Sequence, residues 1–214
     1  MLFDSLPLLL EGFLSTLKLT GISAVAALVI GSLLATLRVS PLPSLRFAGA
    51  AYVNTIRNTP LLLVLAFTIF ALPNIVQIRY DNFWLAVIAL SVYTAAFVCE
   101  ALRSGINAVP TGQAEAARSV GMTFGQTLVR VVLPQAFRTV VPPLGNILIA
   151  LTKNTSIVAA FGVVEATALF DDLARDNPDV IWALFVGIAL GYIVIVLAIA
   201  GVFRMVERRV VVLR

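Results

Sequence analysis

Several stretches of this chain are too apolar to be left in water. Leu14–Leu37 is interrupted only by Lys18, Phe83–Leu102 only by Glu100, and Val180–Phe203 by no charge at all. A helix needs about 20 mostly apolar residues to cross a bilayer. Each of these runs meets that length, so each reads as a membrane crossing. Composition agrees: 60% of the residues are hydrophobic and 12% charged, against about a quarter charged in a soluble domain. Lipid is the natural solvent for the excess.

Two further crossings need more argument. The apolar run Leu61–Leu72 is too short alone, so its crossing must start near Phe47 or Ala50. That takes Asn54, Thr55, Arg57, Asn58 and Thr59 into or near the membrane and puts Pro60 inside the helix. The apolar region from Pro134 to about Phe170 has the opposite problem. As one helix it would be about 55 Å long, nearly twice the hydrocarbon thickness. It must break, at Lys153-Asn154-Thr155-Ser156 or at Gly162. The reading is an all-α polytopic protein with five transmembrane helices, in a single domain over residues 1–214.

Basic residues set the orientation. With the N-terminus outside, eleven of the fifteen Lys and Arg residues lie inside, among them Arg38, Arg103, Arg118, Arg208 and Arg214. Lys18, Arg79, Lys153 and Arg175 lie outside, together with Asp4, Glu11, Asp81, Asp171, Asp172, Asp176 and Asp179. The chain is therefore expected N-out and C-in. The first charges, Asp4 and Glu11, are not those of a cleavable signal peptide.

Absences narrow the chemistry. Without histidine there is no Ser-His-Asp or Cys-His catalysis and no imidazole metal site. Cys99 is the single cysteine, so no intrachain disulfide forms. The GxxxxGK[ST] phosphate loop is missing, and no crossing holds a pair of carboxylates for intramembrane catalysis. A net charge of +4 belongs to the inner membrane surface and calls for no nucleic acid.

Three polar constellations remain. The first lies in residues 103–134, too polar to span. Glu115, Arg118 and Ser119 share one helical face, and Ala114, Ala117 and Gly121 another. By periodicity alone this is an amphipathic surface helix. The second is Arg57-Asn58-Thr59-Pro60. Proline frees a helix carbonyl, and at membrane depth such groups line protein or a wet cavity. Asn58 and Thr59 either contact a polar solute or belong to a kink satisfied by neighbouring helices, while Arg57 snorkels inward. The third is Lys153-Asn154-Thr155-Ser156 with Glu165. Ionisable groups between apolar runs usually face a cavity or a partner. Lys153 could bind a carboxylate, with Asn154, Thr155 and Ser156 giving neutral hydrogen bonds. Alternatively this is the outer mouth of a helix, with Lys153 paired to Glu165 or a loop carboxylate. Glu100 and Arg103 are spaced for an ion pair, and Tyr93 reads as a buried tyrosine with a satisfied hydroxyl.

Glu115-Ala116-Ala117, then Gly121, then Leu133-Pro134 resembles the EAA signature of binding-protein-dependent ABC importer permeases. Val131 stands where that family often has isoleucine. Tyr93–Ile106, Arg57–Leu62 and Lys153–Ser156 resemble its polar amino acid branch, which transports histidine, glutamine and glutamate. Tyr52–Pro60, Ala114–Arg118 and Pro143–Asn146 are similar to actinobacterial glutamate permeases in particular. Arg-Asn-Thr-Pro replaces the common Arg-Gly-Thr-Pro. The resemblance implies a type I ABC importer permease fold, non-catalytic, carrying no cofactor of its own. ATP and magnesium would sit on cytoplasmic ATPase subunits that engage Glu115, Ala116, Ala117, Gly121, Leu133 and Pro134. A second permease chain, identical or similar, would complete the path, and an extracytoplasmic amino-acid-binding protein would deliver substrate. Glutamate is the implied cargo, and substrate contacts fall to Asn58, Thr59, Lys153, Asn154, Thr155, Ser156 and Glu165. The competing class is an ATP-independent channel or ion-coupled carrier, which has no need of an EAA-like segment.

The orientation has a direct check. In a Cys99→Ala background, a cysteine at Asp176 is expected to react with an impermeant maleimide from outside intact cells. One at Arg209 should react only after the cells are opened. The reverse pattern would overturn the N-out assignment.

Overall fold

A computed structural model of the chain describes residues 6–77, 80–176 and 178–211, and every regular element among them is helical. Asp4, Arg79 and Arg214, given sides above, lie outside the described residues. In chain order the elements are α1 (Leu6–Arg38), α2 (Pro43–Arg57), α3 (Leu61–Val76), α4 (Asn82–Asn107), α5 (Thr111–Ser119) and α6 (Phe124–Thr127). Then come α7 (Leu133–Asn154), a 3₁₀ turn over Thr155–Phe161, α8 (Ala166–Asp176) and α9 (Ile181–Val211).

Among the described residues four helices are each long and apolar enough to cross a membrane: Pro7–Arg38, Asn82–Asn107, Phe124–Phe161 and Pro178–Arg209. The fifth expected crossing is a bent pair. Helices α2 and α3 meet at 102°, so Pro60 does not sit inside one kinked helix as the sequence reading has it. Pro60 is the residue before α3, extended at ψ 138, and α2 has already ended at Arg57. The pyrrolidine ring disfavours helical backbone in the residue before it, which stops α2 short of Thr59.

Prolines shape two other helices. Pro73 and Pro134 each stand two residues past a widened π turn, Phe67–Ala71 and Leu128–Val132 respectively. A proline ring clashes with the carbonyl four residues back, and a π turn opens the room for it. The long fourth apolar region uses both of its expected breaks. Regular α-helix gives way to 3₁₀ at Thr155, and the chain leaves the helix at Gly162, whose φ of +75° suits glycine.

The core gathers around α4. Leu85, Ala86, Leu90, Leu65, Leu19, Leu151 and Val158 are all buried in one cluster. α1 lies along α4 at close range because small residues face the contact. Ser23 donates to the Val87 carbonyl at 3.4 Å. At Gly31 an added Cβ would lie 2.6 Å from Val98 Cγ1 and 2.9 Å from the Ala95 carbonyl oxygen. Tyr52 of α2 donates to the Val92 carbonyl at 2.8 Å. Glu100 of α4 bridges Arg103 and Arg38, the latter at 3.3 Å, so the expected Glu100–Arg103 pair forms and also ties down the end of α1. α9 is the outer helix, apolar along most of its length and little buried.

Gly31→Ala is expected to cost about 1–3 kcal/mol by overpacking the α1–α4 contact. Gly21→Ala, with nothing within 4 Å of its added methyl, should instead gain roughly 0.5–1 kcal/mol of helix propensity. Unfolding of the two purified variants in detergent checks the contrast; equal shifts in the same direction would refute the close α1–α4 packing.

Candidate functional site

The segment between the 3₁₀ turn and α8 is the most polar buried place among the described residues. Glu165 is fully buried. A buried carboxyl is costly unless hydrogen bonds replace its water. Here Oε1 accepts from the Thr167 and Ala168 amides at 2.7 and 3.0 Å, capping α8. Oε2 accepts from the Tyr192 hydroxyl of α9 at 2.6 Å and the Thr16 hydroxyl of α1 at 3.2 Å. Ser15 donates to the Val164 carbonyl at 2.7 Å. Four pieces of chain are thus stitched at one point. Gly191 permits it: a methyl there would lie 2.1 Å from the Phe13 ring.

Tyr192 also faces a cavity of about 410 Å³ bounded by α7, α8 and α9. Its walls carry Lys153, Ser156, Thr167 and Asp171, with Phe170, Phe185 and Ile188 as the apolar side. Lys153 is exposed and makes no ion pair among the described residues. It pairs neither with Glu165, whose oxygens are taken, nor with Asp171 across the cavity. The space therefore presents one cation and one anion, unpaired with each other, plus hydroxyls.

The Lys153–Ser156 stretch does not act as one patch. Lys153 and Ser156 line this cavity, but Asn154 lines a second one of about 350 Å³ with Tyr93, Thr94, Phe97 and Asn146. One residue along a helix turns a side chain through about 100°, which separates neighbours onto two faces. Thr155 is buried and donates to the Thr152 carbonyl at 2.6 Å. Tyr93 is half-buried, and its hydroxyl has no hydrogen-bond partner among the described residues, unlike the satisfied tyrosine expected. Asn58 is exposed at the α2–α3 break, and Thr59 donates to the Thr55 carbonyl at 2.8 Å. Arg57 lines a third cavity, about 290 Å³, with Phe97, Glu100, Ser104 and Thr139.

At the α6 end the EAA-like residues form a short helical hairpin. α5 ends in a Schellman arrangement: the Gly121 amide bonds the Arg118 carbonyl at 3.0 Å and the Met122 amide the Ala117 carbonyl at 3.2 Å. Gly121 therefore lies past the helix, at φ +86°, and not on the Ala114–Ala117 face predicted for it. Its backbone conformation explains the glycine. Thr123 and Gln126 make a capping box that starts α6. Glu115 and Ala116 are exposed, Ala117 is buried, and Leu133 and Pro134 open α7 with exposed side chains. Val120 and Phe124, on either side of Gly121, are 77% and 75% exposed.

Sequence reasoning missed that Asp171, Thr167 and Tyr192 line the same cavity as Lys153, since no short-range spacing joins them. It also passed over Val120 and Phe124, although apolar side chains in so polar a segment were the available signal.

The model of the family described as binding-protein-dependent transport system inner membrane component matches residues 6–212. The glutamate transport system permease protein GluC of Corynebacterium glutamicum is 43% identical, over 94% of each chain. The probable glutamine ABC transporter permease protein GlnM of Bacillus subtilis is 39% identical, over 97% of this chain and 95% of its own. A crystal structure of an amino acid ABC transporter with histidines superposes with a TM-score of 0.90 at 31% identity, covering 97% of this chain and 96% of that one.

Tyr192→Phe is expected to lower stability by about 0.5–1.5 kcal/mol, the net worth of a typical hydrogen bond. Glu165→Ala should cost more, because it strands the Tyr192 hydroxyl and two α8 amides. Chemical unfolding of both purified variants measures the order; a Tyr192→Phe protein as stable as the parent would remove Glu165 from its central place.

Proposed function

The chain belongs to the binding-protein-dependent transport system inner membrane components, and from that membership we propose that it moves an amino acid, with glutamate the first candidate. It is a non-catalytic, multi-pass inner membrane subunit of an ABC importer, working with an ATPase and a binding protein. The cargo assignment rests on one observation: the α7–α8–α9 cavity offers Lys153 and Asp171 unpaired with each other. A free amino acid carries the complementary carboxylate and ammonium, and a charge entering a low-dielectric site without such a partner is strongly unfavourable. The glutamate and glutamine permeases among its relatives support the same class.

In this reading Lys153 binds the substrate carboxylate and Ser156 adds a neutral hydrogen bond. Asn154 meets the solute from the adjoining cavity. Thr155 and Glu165 hold these contacts from behind, Glu165 through Tyr192. Asn58 and Thr59 offer neutral groups at the break that carries Arg57. The domain is single, oriented N-out and C-in, with residues 103–134 as its coupling segment. Val120 and Phe124 join Glu115, Ala116, Ala117, Gly121, Leu133 and Pro134 in docking on the cytoplasmic ATPase. ATP and magnesium stay on that partner, and this chain needs no cofactor. A second permease chain, identical or similar, completes the path beside the cavities that α4 and α7 line.

Proteoliposomes holding the complete importer test this. Uptake of labelled glutamate should require ATP and the binding protein. Lys153→Met, at matched membrane abundance and ATPase assembly, should reduce uptake roughly ten- to hundredfold, as loss of a charged hydrogen bond requires. Undiminished uptake would return Lys153 to a structural role, and uptake without ATP would favour the channel or carrier class.

A further inference from the structure

The hydrogen bonds around the α7–α8–α9 cavity run in a fixed direction, and Glu165 sets it. Four donors converge on this buried carboxyl: the Thr167 and Ala168 amides on Oε1, the Tyr192 and Thr16 hydroxyls on Oε2. The carboxyl accepts in every one of these contacts. A tyrosine hydroxyl has a single proton to give, and the 2.6 Å bond to Oε2 spends it. In the 3.2 Å contact between the Tyr192 and Thr167 hydroxyls, Thr167 is therefore the donor and Tyr192 the acceptor. That spends the Thr167 proton as well.

Both hydroxyls line the cavity, and toward it each can now only accept. Ser156 is in the same position, because its hydroxyl donates to the Lys153 carbonyl at 2.7 Å. Asp171 adds a carboxylate. Among the described residues of this wall, Lys153 is thus the one side chain with protons to offer. The acceptors are grouped. Thr167 and Asp171 stand one turn apart on α8, as i and i+4 neighbours on one face. Tyr192 faces the same cavity from α9. A primary ammonium has three protons to place, and this corner meets it with three side chains from two helices. Lys153 stands on the third helix, α7.

We infer that the α8–α9 corner of Thr167, Asp171 and Tyr192 is the subsite for the substrate's α-ammonium. Glu165, fully buried behind it, is the positioning residue that keeps its hydroxyls as acceptors. The α-carboxylate then falls to Lys153. What is recognised here is the part all amino acids share, and the side chain is left to other contacts. This deepens the amino-acid reading above and rests on it. Glutamine in place of Glu165 reverses the corner. The two α8 amides claim its carboxamide oxygen, which turns its NH2 toward Tyr192 and Thr16. Tyr192 then accepts from that NH2, and its own proton is freed to point at Thr167 or the cavity. An arriving ammonium meets a donor where it needs an acceptor.

The experiment is competition binding to the detergent-solubilised complex of permease and ATPase, without the binding protein, whose own selectivity would mask the effect. Labelled glutamate is the probe. Glutarate, the same dicarboxylate without the ammonium, is the competitor. The wild-type complex should prefer glutamate roughly tenfold or more, as a hydrogen bond to a charged group requires. Glu165→Gln should bring the two ligands within about threefold of each other, by weakening glutamate. Asp171→Asn should narrow the preference from the cavity side. Thr16→Val takes a donor from the same carboxyl but lies outside the cavity wall, so it should keep the wild-type preference whatever it does to stability. If Glu165→Gln does not assemble, Tyr192→Phe carries the test by removing one of the three acceptors, and an undiminished preference there overturns the inference. Equal losses of glutamate and glutarate in Glu165→Gln would make Glu165 merely structural. That result, or a wild-type complex that binds both ligands equally, overturns the inference and leaves the cargo reading standing. A wild-type complex that binds neither removes the cargo reading, and this inference with it.

Discussion

In lipid a peptide group has no water to fall back on, so each N–H and C=O must find its partner within the protein. Two of the places where this chain leaves the helix show how that is met. At the α2–α3 break the Asn58 and Thr59 amides reach back to the Asn54 and Ile56 carbonyls, and the Thr59 hydroxyl takes the Thr55 carbonyl. At the second break the Gly162 and Val163 amides return to Ala159 and Val158. The groups beyond them are satisfied from α1, by Ser15 and Thr16, and by Glu165 itself. The first break is closed by its own neighbours; at the second another helix lends the hydroxyls, which hold α1 there in addition to apolar packing.

The same need separates what the sequence makes legible from what it does not. Long apolar runs announce α1, α4, α7 and α9 because length and hydropathy are local properties. Lys153–Ser156 and Gly162 are legible as breaks because a single helix there would overrun the bilayer. The i, i+3 pairing of Glu100 with Arg103 follows from helical spacing, but the second claim on Glu100, by Arg38, comes from packing of α1 on α4. Pro60 announces a disturbance without its size; whether a proline bends a helix or ends it depends on what the flanking segments pack against. Gly121 misleads periodicity because a helix that ends at Ser119 no longer carries its register forward. Lys153 comes to share a cavity with Asp171 and Tyr192 only through the folding of three helices, and no window on the sequence contains all three.

Polar groups in this fold sort into those that bind the protein to itself and those left with spare valence. Glu165 and Glu100 are saturated, each held by groups from distant elements. Lys153 and Asp171 make no ion pair among the described residues, and both face a cavity. An unpaired charge facing space distinguishes these residues from equally polar neighbours such as Thr155, whose hydroxyl is spent on the Thr152 carbonyl.

The order in which the chain is made gives the Glu165 knot a further meaning. Thr16 belongs to the first span and Tyr192 to the last described one, and the carboxyl lies between them in sequence. During synthesis α8 can be capped as soon as its own amides exist. The shortest hydrogen bond to Glu165 has to wait for α9, and so does the seating of Phe13 against Gly191. Until then a nascent chain carries an incompletely dressed acidic group. Closing that ring therefore comes last, and a chain cut short before α9 would lack both the Tyr192 bond and the Phe13 seat.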